Sequence, residues 1–177
     1  AKTILLLTLE TEGYINSTVE TVVEKLTDTS VLVRFDVNKG DEITITDVTY
    51  NGAKALEASD FEDVIGNKEV DCCFTWFFGQ NDGEMNFEQL SYDSHRIKDL
   101  YLQHGYLDVK VTPAFSKVDF NTNTASIEYT IEEGIQYKVN ETIIYLDETI
   151  AKVEEIYPEL MLDKGDIFDI GKLRKDQ

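Results

Sequence analysis

Asp163, Asp166 and Asp169 are the first residues of this chain that could do chemistry, because carboxylate oxygens are what a hard cation such as calcium takes as ligands. The spacing argues otherwise: a helix–loop–helix calcium loop draws its ligands from alternate positions, so a spacing of three reads as a solvated acidic turn. Glu132-Glu133 and Glu154-Glu155 are neighbouring carboxylates that suit acid–base work in principle. Nothing in the sequence sets either pair in a cleft with an apolar wall. His95 and His104 read as surface helix residues. Cys72-Cys73 lacks the spacer of a Cys-x-x-Cys metal or redox motif, and a disulfide between neighbours is strained, so the two read as small buried thiols that leave the redox compartment open. No nucleophile elbow, phosphate loop or His-Glu-x-x-His motif occurs. The expectation is no metal, no cofactor and no enzyme.

Charge narrows the partners. The 177 residues hold 35 acidic and 16 basic side chains, a formal charge of −19. Nucleic acid requires a basic footprint and an anionic membrane surface attracts one, so both are excluded. Hydrophobic residues at 42% and aromatics at 11% are too abundant for a disordered acidic tail. No stretch approaches the about 20 apolar residues of a membrane span. Leu5-Leu6-Leu7 is cut short by Glu10 and Glu12 and follows no basic region, so it is not a signal peptide. Ala1 falls inside a helix-like stretch, so the chain is expected to be a piece of a longer protein.

With catalysis set aside, the elements themselves carry the information. Gly13-Tyr14 and Gly105-Tyr106 are one punctuation mark used twice, each after a helix-like run (Leu5 to Glu12, Phe87 to His104) and before a strand-like alternation. A second mark, ending at Gly40 and again at Gly134, repeats at an offset of 94 against 92 for the first. Phe87-x-x-Leu90-x-x-Asp93 returns as Ile170-x-x-Leu173-x-x-Asp176 at an offset of 83. Such periods mean tandem modules, and arrays of modules usually bind rather than catalyse. The first segment, 1–40, predicts helix, strand, strand, with a hairpin turn at Thr27-Asp28-Thr29-Ser30. The second, 41–134, predicts a strand carrying Ile43, Ile45, Val48 and Tyr50 that slips once at Thr46-Asp47, as at a bulge. A helix capped by Ser59 with Glu62 follows, then a helix capped by Asn86 with Gln89. Strands over Tyr106 to Thr112 and Ala125 to Glu132 complete the segment, joined through Asn121-Thr122-Asn123. The third, 135–177, starts again with a strand over Tyr137, Val139 and Ile144. A helix from Asp147 to Pro158 and another from Asp169 to Asp176 follow.

A strand–helix–helix–strand–strand module with Gly-Tyr after its second helix and Glu-Gly after its last strand resembles the POTRA (polypeptide-transport-associated) domain. The residues that carry the likeness are Ile45-x-x-Val48-x-Tyr50-x-Gly52, Asp93 to Tyr106 with its Tyr-Leu-x-x-Gly-Tyr ending, and Glu132-Glu133-Gly134-x-x-Tyr137. The chain is similar to internal units of the BamA family of outer-membrane β-barrel assembly factors: the back half of one unit, a whole unit, and the front half of another. Leu146, standing where Gly52 stands one module earlier, departs from the pattern. The resemblance implies an α+β fold of tandem modules, each a three-stranded mixed sheet covered on one face by two helices. It also implies a periplasmic arm of the outer membrane of a Gram-negative bacterium, attached to a membrane barrel absent from this sequence. Such an arm guides unfolded outer-membrane proteins and seats accessory lipoproteins. A transporter arm of the two-partner-secretion type is the alternative.

A sheet covered on one face has edges with unpaired amides and carbonyls, where an extended client can add a strand. In this fold the middle strand in chain order lies on an edge. Tyr106, Leu107, Asp108, Val109, Lys110, Val111 and Thr112 are therefore the candidate docking strand, with Asp108 and Lys110 turned away from the helices. Pro113 suits an edge because it cannot donate to a ladder. The rival reading is that Asp108, Lys110 and Pro113 only discourage aggregation. Trp76, Phe77 and Phe78 lie in the densest aromatic run and read as packing under the connection between helices, or as a patch for a partner. The first segment lacks a leading strand and helix and the third lacks final strands, an arrangement in which two molecules could complete each other head to tail.

Overall fold

Valine-rich runs on either side of the turn residues 27–30 make the first hairpin of the chain. The computed structural model describes residues 1–71, 83–145, 157 and 160–176. Helix α1 (Lys2–Thr11) leads into β1 (Tyr14–Ile15), β2 (Thr18–Lys25), β3 (Val31–Asn38) and β4 (Asp41–Glu42). Strands β2 and β3 are antiparallel over their full length, Thr18 opposite Asn38 and Lys25 opposite Val31. The turn predicted at residues 27–30 closes them through Leu26 and Thr27 N–H groups donated to the Ser30 carbonyl. β1 pairs with β4.

The next module is β5 (Thr44–Asn51), α2 (Ala58–Glu62), α3 (Phe87–Gln103), β6 (Lys110–Val111), β7 (Phe115–Asp119) and β8 (Thr124–Glu132), the predicted order. In β5, Thr46 and Asp47 are both exposed between buried Ile45 and half-buried Val48, which is the slip expected there. Strand order is β5–β8–β6, with β7 also on β8. Thr46 bonds the Ala125 carbonyl and Thr49 that of Ile127, so numbers rise together and β5 runs parallel to β8. β6 and β7 are antiparallel to it. The sheet is mixed, and the chain is α+β. A last helix, α4 (Ile170–Asp176), forms where the sequence places one.

Two compact units emerge. The first takes Ala1–Thr49, Ile65–Asp93 and Pro113–Tyr129; its buried side chains include Ile43, Ile45, Met85, Ile127 and Tyr129. The second takes Tyr50–Val64, Ser94–Thr112 and Thr130–Gln177, with Phe61, Ile97, Tyr101, Val109 and Ile131 buried. Phe61 stacks on Tyr50 at 4.4 Å and meets Tyr101 at 5.9 Å between centroids.

Three expectations are corrected. Helix α2 is capped by Glu57, not Ser59: the Asp60 carboxylate accepts the Glu57 N–H at 2.8 Å, so the capping box sits two residues early. Carboxylates accept amide protons as well as a hydroxyl does, and here they hold both positions. The third segment forms no strand over Tyr137, Val139 and Ile144. Lys138 makes a single bridge to Ile167, the described residues offering only a short backbone partner there. The third correction, to the edge strand, is described below. Cys72-Cys73, the aromatic run with Trp76, Phe77 and Phe78, Leu146, Glu154-Glu155 and the helix predicted from Asp147 to Pro158 lie outside the described residues, apart from Tyr157.

Candidate docking edge and a repeated joint

Two side-chain networks hold the ends of the second module's helices. Asn86 caps α3 as predicted, its Oδ1 accepting the Gln89 N–H at 2.9 Å. The Asn86 N–H in turn donates to Asn67 Oδ1 at 2.8 Å. Asp93, six residues into α3 and fully buried, accepts from Gly66 N–H at 2.7 Å, Asn67 N–H at 3.1 Å and Asn67 Nδ2 at 2.9 Å. A buried carboxylate is tolerated because these donors replace water. Local pattern did not reveal this role, but the repeat carried a signal for it. Asp176, at the same place in the 83-residue repeat, accepts the Met161 N–H at 3.0 Å, and Asp169, aligned with Asn86, caps α4 through the Lys172 N–H at 3.2 Å.

Glu133 makes the second network. Its carboxylate accepts Lys54 N–H at 2.7 Å, Ala55 N–H at 2.8 Å and the Tyr101 hydroxyl at 2.8 Å. Burial pushes the Glu133 carboxyl up, but the two backbone donors and the tyrosine outweigh it and hold it below its ordinary 4.5. Burial, and then the Glu133 hydrogen bond, push the Tyr101 phenol up. A carboxylate with a depressed folded pKa stabilises above its unfolded pKa and ceases to as pH falls through the folded value. Glu133→Ala removes three hydrogen bonds at a partly solvated site and is expected to cost about 1 kcal/mol at pH 7. Urea titrations should show the gap between variant and wild type narrowing below pH 4.5, the starting value for this group. Its neighbour Glu132 points to solvent and pairs with Lys110 at 3.1 Å, so the adjacent carboxylates do not share a site.

The three aspartates first considered for a cation are bound up in turns. Asp166 accepts the Asp163 N–H at 3.2 Å, and Asp169 accepts the Gly171 N–H at 2.7 Å. His104 sits exposed at the end of α3, its Nδ1 2.8 Å from the Leu100 carbonyl, and His95 is exposed on the same helix.

The predicted docking strand begins later than expected. Leu107 and Asp108 form a turn, and the ladder starts at Lys110, opposite Glu132, with Val111 opposite Ile131. The cause is local: Tyr106 N–H donates to the Tyr101 carbonyl and Val109 N–H to that of Tyr106, folding the chain back before it can extend. Lys110 is exposed, as expected. Asp108 instead accepts the Tyr137 hydroxyl at 2.6 Å, and Val109 is buried. Thr112 donates to the Thr130 carbonyl, and pairing resumes at Phe115, opposite Glu128, through Asp119, opposite Thr124. Residues at 110 and 132 face each other, but so do 115 and 128, so the stretch around Pro113 holds one residue more than β8 does. That is the count of a bulge, a common device at sheet edges. Along β7 exposed and half-buried residues alternate, with Phe115, Lys117 and Asp119 outward. Phe115 is 65% exposed.

A joint appears twice. The Gly13 carbonyl accepts the Ile43 N–H at 3.1 Å, and the Gly105 carbonyl accepts the Tyr137 N–H at 2.8 Å. Ile43 then receives Met85 N–H as Tyr137 receives Phe168 N–H, and Ile45 donates to Gly83 as Val139 donates to Asp166. Each residue of the second set lies 92, 94 or 83 positions after its counterpart, the sequence offsets. Thr44 bridges Glu84 and Lys138 bridges Ile167 in the same relation.

Comparison with known proteins agrees with this module. The family model POTRA, described as surface antigen variable number repeat, matches residues 43–134. The chain is 30% identical over 132 residues to a protein of Nitratidesulfovibrio vulgaris named outer membrane protein assembly factor BamA, covering 72% of the chain and 16% of the relative. It is 25% identical over 144 residues to a putative outer membrane protein assembly factor of Treponema pallidum, covering 79% and 16%. The chain thus spans about a sixth of the length of these relatives. Among solved structures, Haemophilus influenzae BamA POTRA3-5 is similar over 96% of this chain and 62% of its own, at 16% identity and a TM-score of 0.49. No helix among the described residues is long and apolar enough to cross a membrane. With a family model covering more than half of its length, the chain belongs to the POTRA family.

Proposed function

We propose that this chain is part of a periplasmic arm that binds unfolded outer-membrane proteins by strand addition and seats accessory lipoproteins during assembly of outer-membrane β-barrels. The observation that carries the reading is β7. It is a five-residue strand on the outside of a POTRA sheet, and among the described residues it ladders only with β8. Backbone amides and carbonyls on its outer side ask little of a client's sequence, which suits many clients. The outward row Phe115, Lys117, Asp119 offers an aromatic surface beside charges that discourage flat edge-to-edge stacking. Lys110 and Val111 remain the laddered part of the strand first assigned, with Tyr106 to Val109 engaged in their own turn. The family resemblance of residues 43–134 supports an arm that binds rather than catalyses.

Titrating the full chain with an unfolded β-barrel strand peptide and following backbone amides by NMR tests this. Saturable shifts concentrated at Phe115–Asp119 are expected. Phe115→Ala should weaken binding about threefold, the size of one lost cross-strand pair. Saturating peptide without shifts along β7 would move the role toward a spacer or a lipoprotein seat.

A further inference from the structure

Phe120 breaks the rhythm of β7. Ser116 and Val118, on the side away from the outward row, are half-buried. Phe120 falls on their parity, yet it is 67% exposed. Beside it lies a groove of about 430 Å³, within the range of about 300–1,000 Å³ usual for ligand pockets. Phe120 and Phe87, the first residue of α3, line it together with buried Ile43; Leu7, Glu10 and Ile15 of the first segment complete it. All of these residues belong to the first compact unit. The lining is held in place by backbone. The Gly13 carbonyl accepts the Ile43 N–H at 3.1 Å, and the Asn123 carbonyl accepts the Thr44 N–H at 2.9 Å, which ties the turn after β7 to the joint.

A whole module leaves this face uncovered. Asp99, Leu102 and Leu107 stand 92 residues after Leu7, Glu10 and Ile15, in the module whose two helices and sheet are all present, and none of the three is buried. The chemistry differs between the copies: Asp99 pairs with Arg174 at 3.5 Å, whereas its counterpart Leu7 is 56% exposed on the groove. An apolar groove is thus particular to the first joint, and it begins where β7 ends.

We propose that this groove is a subsite for the client strand that adds to β7, and that it takes a large apolar side chain at the N-terminal end of that strand. The inference rests on the strand addition proposed above. Antiparallel pairing is the more stable arrangement per residue, and it brings the N-terminal end of the client to the Asp119 end of β7. Client residues opposite Ser116 and Val118 share their side of the sheet. The next residue of that set, just past the end of β7, stands beside Phe120. Glu10 in the lining and a formal charge of −19 favour a basic neighbour on the client and disfavour a free carboxylate. The groove therefore reads the start of an extended segment, and adds a side-chain preference to backbone bonding that has little of its own.

An NMR titration of the full chain with three acetylated, amidated peptides tests this. The first is Lys-Lys-Phe-Thr-Val-Thr-Val-Thr, the second has Ala in place of Phe, and the third is the first in reverse order. Amides of Phe115–Asp119 report strand addition, and the methyls of Leu7 and Ile15 report the groove. The first peptide should bind about tenfold more tightly than the other two, the worth of one anchored aromatic, and it alone should shift the methyls. Phe120→Ala, at an exposed position, should remove the difference between the first two peptides. Equal affinity of those two, with shifts along β7, would overturn the subsite and leave strand addition standing. A reversed peptide that binds as tightly as the first would overturn the N-terminal assignment. Methyl shifts without shifts along β7 would overturn both the client strand as occupant and the reading on which it rests.

Discussion

Asp93→Ala is expected to cost about 3–5 kcal/mol, because it leaves three donors without their buried acceptor. Three donors at 3.1 Å or less converge on this carboxylate from Gly66 and Asn67, and Asn67 is itself fully buried. Removing the acceptor strands these donors away from water, each costing about 1–3 kcal/mol unless the chain shifts. The loss would not stop there. Asn67 also holds the Asn86 N–H, and Asn86 caps α3, so the stretch before α3 loses its tether together with the start of the helix. Asp93→Asn keeps one oxygen but presents an amide to donors, and should be nearly as damaging. Small domains have about 5–15 kcal/mol in hand, so chemical denaturation should show a transition shifted most of the way to zero denaturant. A loss under about 1 kcal/mol for Asp93→Ala would mean that water enters and replaces the carboxylate.

Gly13→Ala and Gly105→Ala are expected to be the next most harmful changes, and to act at the two copies of the joint. Both glycines sit in left-handed backbone, at φ of 85° and 86°. A Cβ at Gly13 would overlap the Met85 carbonyl oxygen, and one at Gly105 would stand 2.8 Å from Ile167 Cγ2 and 2.9 Å from the Tyr137 carbonyl oxygen. Conformational cost alone is about 1 kcal/mol. Collision with backbone that cannot swing aside raises the total to about 3 kcal/mol at Gly13, and to less at Gly105, where one neighbour is a side-chain methyl. Hydrogen exchange gives the sharper readout. Protection of the Ile43 amide should fall in Gly13→Ala and that of the Tyr137 amide in Gly105→Ala, since those amides bond the glycine carbonyls. Equal loss of both amides in each variant would argue against two separable joints.

What was legible in the sequence was periodic. The hairpin was visible because a stretch rich in Val and Thr stops at four turn residues, and α3 because its cap and its Ile97–Tyr101 stripe are both local. The joint was visible only as arithmetic: offsets of 92, 94 and 83 turn out to be the offsets of hydrogen-bonded pairs. What escaped depended on contacts far apart in sequence. Asp93 bonds residues 26 and 27 positions earlier, and Glu133 reaches back 78 and 79, and no local pattern distinguishes these from surface carboxylates. The start of the edge strand escaped for the opposite reason, a competition too local to weigh. Tyr106 and Val109 close turns that a Leu-x-Val-x-Val alternation does not reveal. The α2 cap was misplaced because Ser59 and Glu62 imitate a capping box two residues beside the pair that forms one.

The duplicated joint has a consequence for how such an array of modules changes over generations. Unequal recombination between the gene segments encoding the two Gly-Tyr marks would delete residues 13–104 and join Glu12 to Gly105. The surviving glycine would still offer its carbonyl to Tyr137, as it does now. The reciprocal product would gain the same 92 residues and one more copy of the same seam. Length can thus change by whole modules without a new contact having to be invented, whereas a break at most other positions would sever a strand or a helix. Loss and gain of repeats is then mutationally easy, and the number of modules becomes a trait on which selection can act directly.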